Sequence, residues 1–161
     1  MMVNIRELLA TADQALAKAG IDHALIGGLA LGGLGVHRAT MDVDFLIDGA
    51  RAGDAQAALQ RVGLNLQANT GEVMHFGGIG SVDLLLANRP LSHEMLQRAG
   101  IIPALGIKCV TVDDIFTIYR ADSERSMTFD EYLIFLDEYW LLFGPIPQSA
   151  QERDLFRNMK L

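Results

Sequence analysis

Three aspartates stand where a carboxylate needs a reason to be. In the run MDVDFLID, acid and apolar residues alternate at a period of two. Asp42 and Asp44 therefore share one face of a strand, while Val43, Phe45 and Ile47 share the other and pack under a helix. Asp83 lies in SVDLLLA, with apolar residues on both sides. An isolated carboxylate is costly to bury unless it is paired, hydrogen-bonded or bound to a cation. Two acids on one strand face, joined by a third from a neighbouring strand, make an all-oxygen donor set suited to Mg²⁺ or Mn²⁺. Magnesium keeps several waters and takes substrate phosphates as further ligands, so this set points to a nucleotide or another phosphate substrate. The competing reading of Asp42 and Asp44 is an edge strand with its acids in solvent, where acids usually sit.

Upstream, Gly27 and Gly28 separate the short apolar run His23–Ile26 from a helical stretch. Backbone amides at such a strand-to-helix junction receive a phosphate without side-chain obstruction, helped by the helix dipole. The competing reading is a plain turn, or a small-residue spacing that lets helix and sheet approach. Gly32, Gly33 and Gly35 fit packing better, and no Gly-x-Gly-x-x-Gly follows the first strand, which argues against a dinucleotide fold. His23, His37, His75 and His93 are scattered without metal-ligand spacing and are assigned no role beyond structure or solvation.

The elements that must position these residues can be read from periodicity. Ile5, Leu8, Leu9, Ala12, Leu16 and Ala19 recur at helical steps and stop at Gly20. Strand His23–Ile26, a short helix and turn, and the acid strand follow, so glycine pair and acid pair meet at one edge. Asp54 then caps a helix ending at Gly63, and LNLQ, VMHF and SVDLLLA form a meander of short strands. Ser92–Ala99 is a helix and GIKCV a last strand, after which Thr111 caps VDDIFTIYRA. Capping-box spacings at Thr128–Glu131 and Ser149–Glu152 introduce two more helices. The stripe Phe129, Leu133, Leu136, Trp140 and Phe143 reads as core or subunit interface. Helices mixed with strands give an α/β (α+β) domain: residues 1–110 form the core, and 111–161 a helical extension packed on the same domain.

The segment IGGLALGGLGVHRATMDVDFLID resembles the signature of the polymerase-beta-like nucleotidyltransferases: an apolar residue, Gly-Gly or Gly-Ser, a helix, then Asp-apolar-Asp. Arg38-Ala39-Thr40 before the acids resembles the bacterial abortive-infection-type toxin branch and its uncharacterised relatives. With Asp83 as third acid, the resemblance covers roughly Asp22 to Ala87. It implies a nucleotidyltransferase fold, a small mixed sheet flanked by helices. It also implies that Gly27 and Gly28 hold the β- and γ-phosphates of an NTP, that Asp42 and Asp44 bind Mg²⁺ or Mn²⁺, and that Asp83 shares one metal and helps deprotonate an acceptor hydroxyl. Arg38 steadies a phosphate or locks the turn. The reaction implied is transfer of NMP to a hydroxyl of a small molecule, protein or RNA end, with pyrophosphate released.

Two departures, together with the apolar C-terminal helix, motivate a second reading, a catalytically degenerate subunit acting in binding or assembly. Gly28 stands where many active members carry Ser, and Ile118 and Tyr119 stand near the expected downstream Lys, for which Arg120 or Arg125 would have to substitute. Lys108, with Arg120 and Arg125, is a candidate cation for a triphosphate, the competing reading being an ordinary basic residue beside a strand or helix end.

Composition narrows the field. The 161 residues carry 13 Lys and Arg against 20 Asp and Glu, a net charge of −7, so no global positive field draws the surface to nucleic acid. The 50% apolar content suggests a covered face, in a homo-oligomer or with a protein partner. Cys109, the single cysteine, reads as strand packing in a reducing cytoplasm. No export signal is recognisable, and the charge-free stretch Ala24–Val36 falls short of the ~20 residues a spanning helix needs.

Overall fold

Helix α1 (Ile5–Lys18) begins at Asn4, whose side chain accepts from the Glu7 amide at 3.0 Å while the Glu7 carboxylate receives the Asn4 amide at 3.4 Å. This reciprocal cap satisfies two amides that the first turn leaves without helical partners. Leu8, Leu9, Ala12, Ala15 and Leu16 form its buried stripe. At the other end Gly20 takes φ +69°, the left-handed conformation that stops a helix. Arg51 reaches back to the Ala19 and Gly20 carbonyls, both at 3.3 Å, tying the end of α1 to a turn far along the chain.

The computed structural model describes residues 3–27, 29–30, 42–111 and 113–115. The chain divides into two compact units, Met1–Ile115 and Phe116–Leu161. The expected helices beyond Ile115, with the aromatic stripe, Arg120 and Arg125, lie outside the described residues, as do Gly28, Gly32, Gly33, Gly35 and Arg38.

Strands β1 (His23–Ile26), β2 (Asp42–Asp48), β3 (Leu64–Asn69), β4 (Val73–Gly78), β5 (Ser81–Ala87), β6 (Gly100–Ile102) and β7 (Ile107–Cys109) build one mixed sheet in the order β3-β4-β5-β2-β1-β7-β6. The expected meander is present as the antiparallel run β3-β4-β5. β2 pairs antiparallel with β1 and parallel with β5, and β1 pairs parallel with β7. The acid strand is therefore the middle strand of the sheet, which overturns the edge-strand reading of its aspartates.

Val43, Phe45 and Ile47 are buried on one face of β2 as the alternation requires, and Leu46 is buried on the other. Only the first part of β2 thus has a polar face. Phe76, Leu25, Val82 and Leu84 continue the core on the neighbouring strands. His23 is also packed here, edge-on to Phe45 with ring centroids 5.2 Å apart, its nitrogens 2.8 Å from the Ile21 carbonyl and 2.7 Å from the Asp13 carboxylate.

Helix α2 (Ala52–Gln60) follows a short 3-10 turn at Gly49–Arg51, so Asp54 is not its cap but a first-turn acid paired with Arg51 at 3.0 Å. Helix α3 (Pro90–Arg98) starts two residues before Ser92, with proline in the first turn where its missing amide costs nothing. Thr111 does accept the Asp114 amide, at 3.2 Å. The Asp114 carboxylate is buried and is held by two guanidinium nitrogens of Arg98 at 2.8 and 2.6 Å.

Candidate functional site

The chemistry-bearing residues gather at one end of the sheet because of strand direction. β1 runs toward that end and leaves it at Gly27. β2 enters there with Asp42, and β5, parallel to β2, enters with Ser81. In register, Ile26 opposes Asp44, Asp44 opposes Asp83, and Asp83 opposes His75 of β4. Residues directly opposed across a ladder point to the same face. Asp44, Asp83 and His75 consequently form a row across three adjoining strands.

Asp83 has 23% of its side chain exposed, and its Oδ1 lies 2.8 Å from Nδ1 of His75, which is 44% exposed. Asp44 is half-buried, whereas Asp42, opposite Ser81, is exposed at the rim. The structure thus brings Asp44 and Asp83 together and sets Asp42 one step outward on the same face.

Gly27 meets this row from the side. Its φ is +73°, and a Cβ built there would run into Oδ2 of Asp44. Both conditions select glycine: the left-handed conformation penalises any other L-residue, and the backbone approaches a carboxylate too closely for a side chain. Residues 29 and 30 are helical and Ala30 is fully buried, so the chain passes from strand β1 into helix around Gly27. Gly28 and Arg38 lie outside the described residues.

Lys108 does not join the site. It pairs with Asp22, which precedes the opposite end of β1 from Gly27. His75, by contrast, is a site residue that sequence reasoning missed. The signal was the short turn between VMHF and SVDLLLA, from which a hairpin register places residue 75 opposite residue 83.

Among the described residues, no group of three or more His, Cys, Asp or Glu side chains is disposed to hold a metal ion as it stands. The donor chemistry at Asp42, Asp44 and Asp83 nevertheless suits a hard divalent cation that draws its other ligands from water and phosphate.

No protein-family model matches the chain, and no curated protein sequence matches it. Solved structures do. The crystal structure of ANT(2'')-Ia in complex with adenylyl-2''-tobramycin superimposes with a TM-score of 0.67 at 16% identity, covering 97% of this chain and 98% of that one. An antigenic nucleotidyltransferase-like protein from Paracoccidioides brasiliensis gives 0.63 at 18% identity, over 96% and 86% of the two chains. The chain has the nucleotidyltransferase fold. The lincosamide antibiotic adenylyltransferase LnuA in its lincomycin-bound form is a further neighbour, with a TM-score of 0.60 and 13% identity over 86% of this chain and 98% of that one. At such identities the likeness is one of nucleotidyltransferase architecture, and it agrees with the mixed sheet and flanking helices expected from the sequence. Among the described residues no helix is long and apolar enough to cross a membrane.

Proposed function

We propose that this protein is a metal-dependent nucleotidyltransferase that moves a nucleoside monophosphate from an NTP to a hydroxyl acceptor. The observation that carries the reading is the in-register pairing of Asp44 with Asp83, with the Gly27 backbone against Asp44. A carboxylate row beside a glycine junction accounts for two needs of the chemistry at once, a place for cations and a place for phosphates.

In this reading Asp44 and Asp83, with Asp42 at the rim, hold Mg²⁺ or Mn²⁺. Such a cation, when bound, lowers the pKa of the attacking hydroxyl and neutralises charge on the leaving oxygen. The backbone at Gly27 and Gly28 receives the β- and γ-phosphates, and Arg38 steadies one of them. Asp83 accepts the proton of the acceptor hydroxyl as its oxygen bonds to the α-phosphorus. The bond from that phosphorus to the β-phosphate bridging oxygen breaks, and pyrophosphate leaves.

Two of the structural neighbours hold adenylyl-2''-tobramycin and lincomycin. They support a small-molecule acceptor of antibiotic type for this chain, and ATP as the first donor to test. The Arg38-Ala39-Thr40 signature supports the alternative acceptors of the toxin branch, a protein hydroxyl or an RNA end. A reducing cytoplasm suits the buried free thiol of Cys109. In this reading a second copy or a partner protein covers the remaining apolar surface.

Thermal stability with each of the four NTPs, with and without Mg²⁺, on the wild type and Asp44→Asn, tests the reading. A ligand that binds only the native state raises apparent stability as RT ln(1 + [L]/Kd). A shift that needs both NTP and metal and is lost in the variant is expected. A folded protein that responds to no NTP overturns the reading in favour of the degenerate binding or assembly subunit.

A further inference from the structure

His75 is exposed enough for its role to be separable from packing. Nδ1 of His75 lies 2.8 Å from Oδ1 of Asp83, hydrogen-bonding distance, and in the tautomer with hydrogen on Nδ1 the ring donates to the carboxylate. We propose that His75 is a positioning residue for Asp83. Its Nδ1–H occupies Oδ1 and commits Oδ2 to the cation and the acceptor hydroxyl. This inference rests on the nucleotidyl-transfer reading and names a residue that reading does not use.

Rotational freedom is what His75 controls. The terminal torsion of an aspartate is broad, so an unanchored carboxylate on an open sheet face presents either oxygen, or both. His75 removes that freedom from a fixed base. It sits opposite Asp83 in the β4–β5 ladder, and the residues flanking both, Met74, Phe76, Val82 and Leu84, are buried at 2% exposure or less. The donor cannot drift along the ladder without unpacking the core. Hydrogen bonds to ligating groups from outside the ligand set typically change metal affinity by about 10–100-fold, while exposed ion pairs contribute only ~0–1 kcal/mol to folding. A positioning role and a merely structural one therefore differ in what their loss would change.

Two substitutions separate them. His75→Phe keeps a planar ring and removes the donor, whereas His75→Asn places an amide nitrogen near the position of Nδ1. The probe is Mn²⁺ alone, titrated by electron paramagnetic resonance of the free ion, with Asp44→Asn as the control for the site and thermal midpoints confirming that each variant folds. His75→Phe is expected to weaken Mn²⁺ binding by about 10–100-fold and His75→Asn by no more than about threefold. The ring ¹⁵N shifts of wild-type His75 are expected to show a protonated Nδ1. Wild-type affinity in His75→Phe alongside weakened binding in Asp44→Asn overturns the inference and leaves the functional reading standing, and a bare Nδ1 does the same. Equal, negligible binding by wild type and Asp44→Asn overturns both.

Discussion

Gly27 turns its backbone to the carboxylate of Asp44 so closely that no side chain fits between them. One residue belongs to the junction that would take phosphate, the other to the strand that would take the cation. Their contact fixes the spacing of those two half-sites. Gly20 has nearly the same φ, +69° against +73°, but a Cβ placed on it would meet nothing within 4 Å.

The two glycines thus make a matched pair. Gly20→Ala is expected to cost about 1–2 kcal/mol of stability from backbone strain and to leave nucleotide binding intact. Gly27→Ala carries the same strain and also displaces Asp44, so its NTP- and Mg²⁺-dependent thermal shift disappears. Denaturation curves with and without MgATP read both effects.

Neutralising the paired acids should act on the reaction more than on the fold. Asp44→Asn or Asp83→Asn is expected to lower metal-dependent turnover by about 10³-fold, since several kcal/mol of transition-state stabilisation are withdrawn and each 1.4 kcal/mol is tenfold. Initial rates of pyrophosphate release, with far-ultraviolet circular dichroism on the same samples, provide the check.

The Arg98–Asp114 pair makes the opposite prediction. The hydrogen bonds that Arg98 donates to the Asp114 carboxylate raise its guanidinium further above its ordinary value, so the cation is held in place. Arg98→Leu leaves the buried Asp114 carboxylate without its cation. Breaking a buried pair costs about 3–5 kcal/mol, and because Arg98 is half-exposed about 2–3 kcal/mol is expected here. Arg98→Leu combined with Asp114→Leu recovers much of that loss in urea denaturation.

Cys109 supplies a pH dependence. Burial pushes its thiol up from 9.0 to about 12. A thiol raised on folding contributes stability that is complete below the unfolded value and is lost as pH rises toward the folded one. Stability is therefore expected to fall between about pH 9 and 12, and less steeply in Cys109→Ala. At pH 8 the native thiol should resist alkylation until the protein is unfolded.

What could be read from the sequence followed the length over which a pattern repeats. DVDF declares its two faces by alternating over four residues, and α1 by more than three turns, so both were legible. β6 has three residues, too few for any period to register, and was missed. Asp54 looked like a cap because it precedes a helical run, but the 3-10 turn at Gly49–Arg51 starts the helix earlier and gives Asp54 to Arg51. His75 has no local signal of function. Its meaning lies in its register with Asp83, which exists only once the hairpin is paired. Gly27, Asp44 and Asp83 were legible as types, while the approach of Gly27 to Asp44 required the folded backbone.

The central place of β2 has a consequence for the chain as it is made. β5 completes the pairing of β2 only when Ala87 has been synthesised, so until then the antiparallel β1–β2 pair carries a bare edge along β2. An unpaired apolar strand of this kind recruits other chains, and charged side chains along it are a common safeguard. Asp42, Asp44 and Asp48 are spread along that edge. The acids proposed to serve catalysis in the finished protein are also the charges this strand carries before β5 joins it.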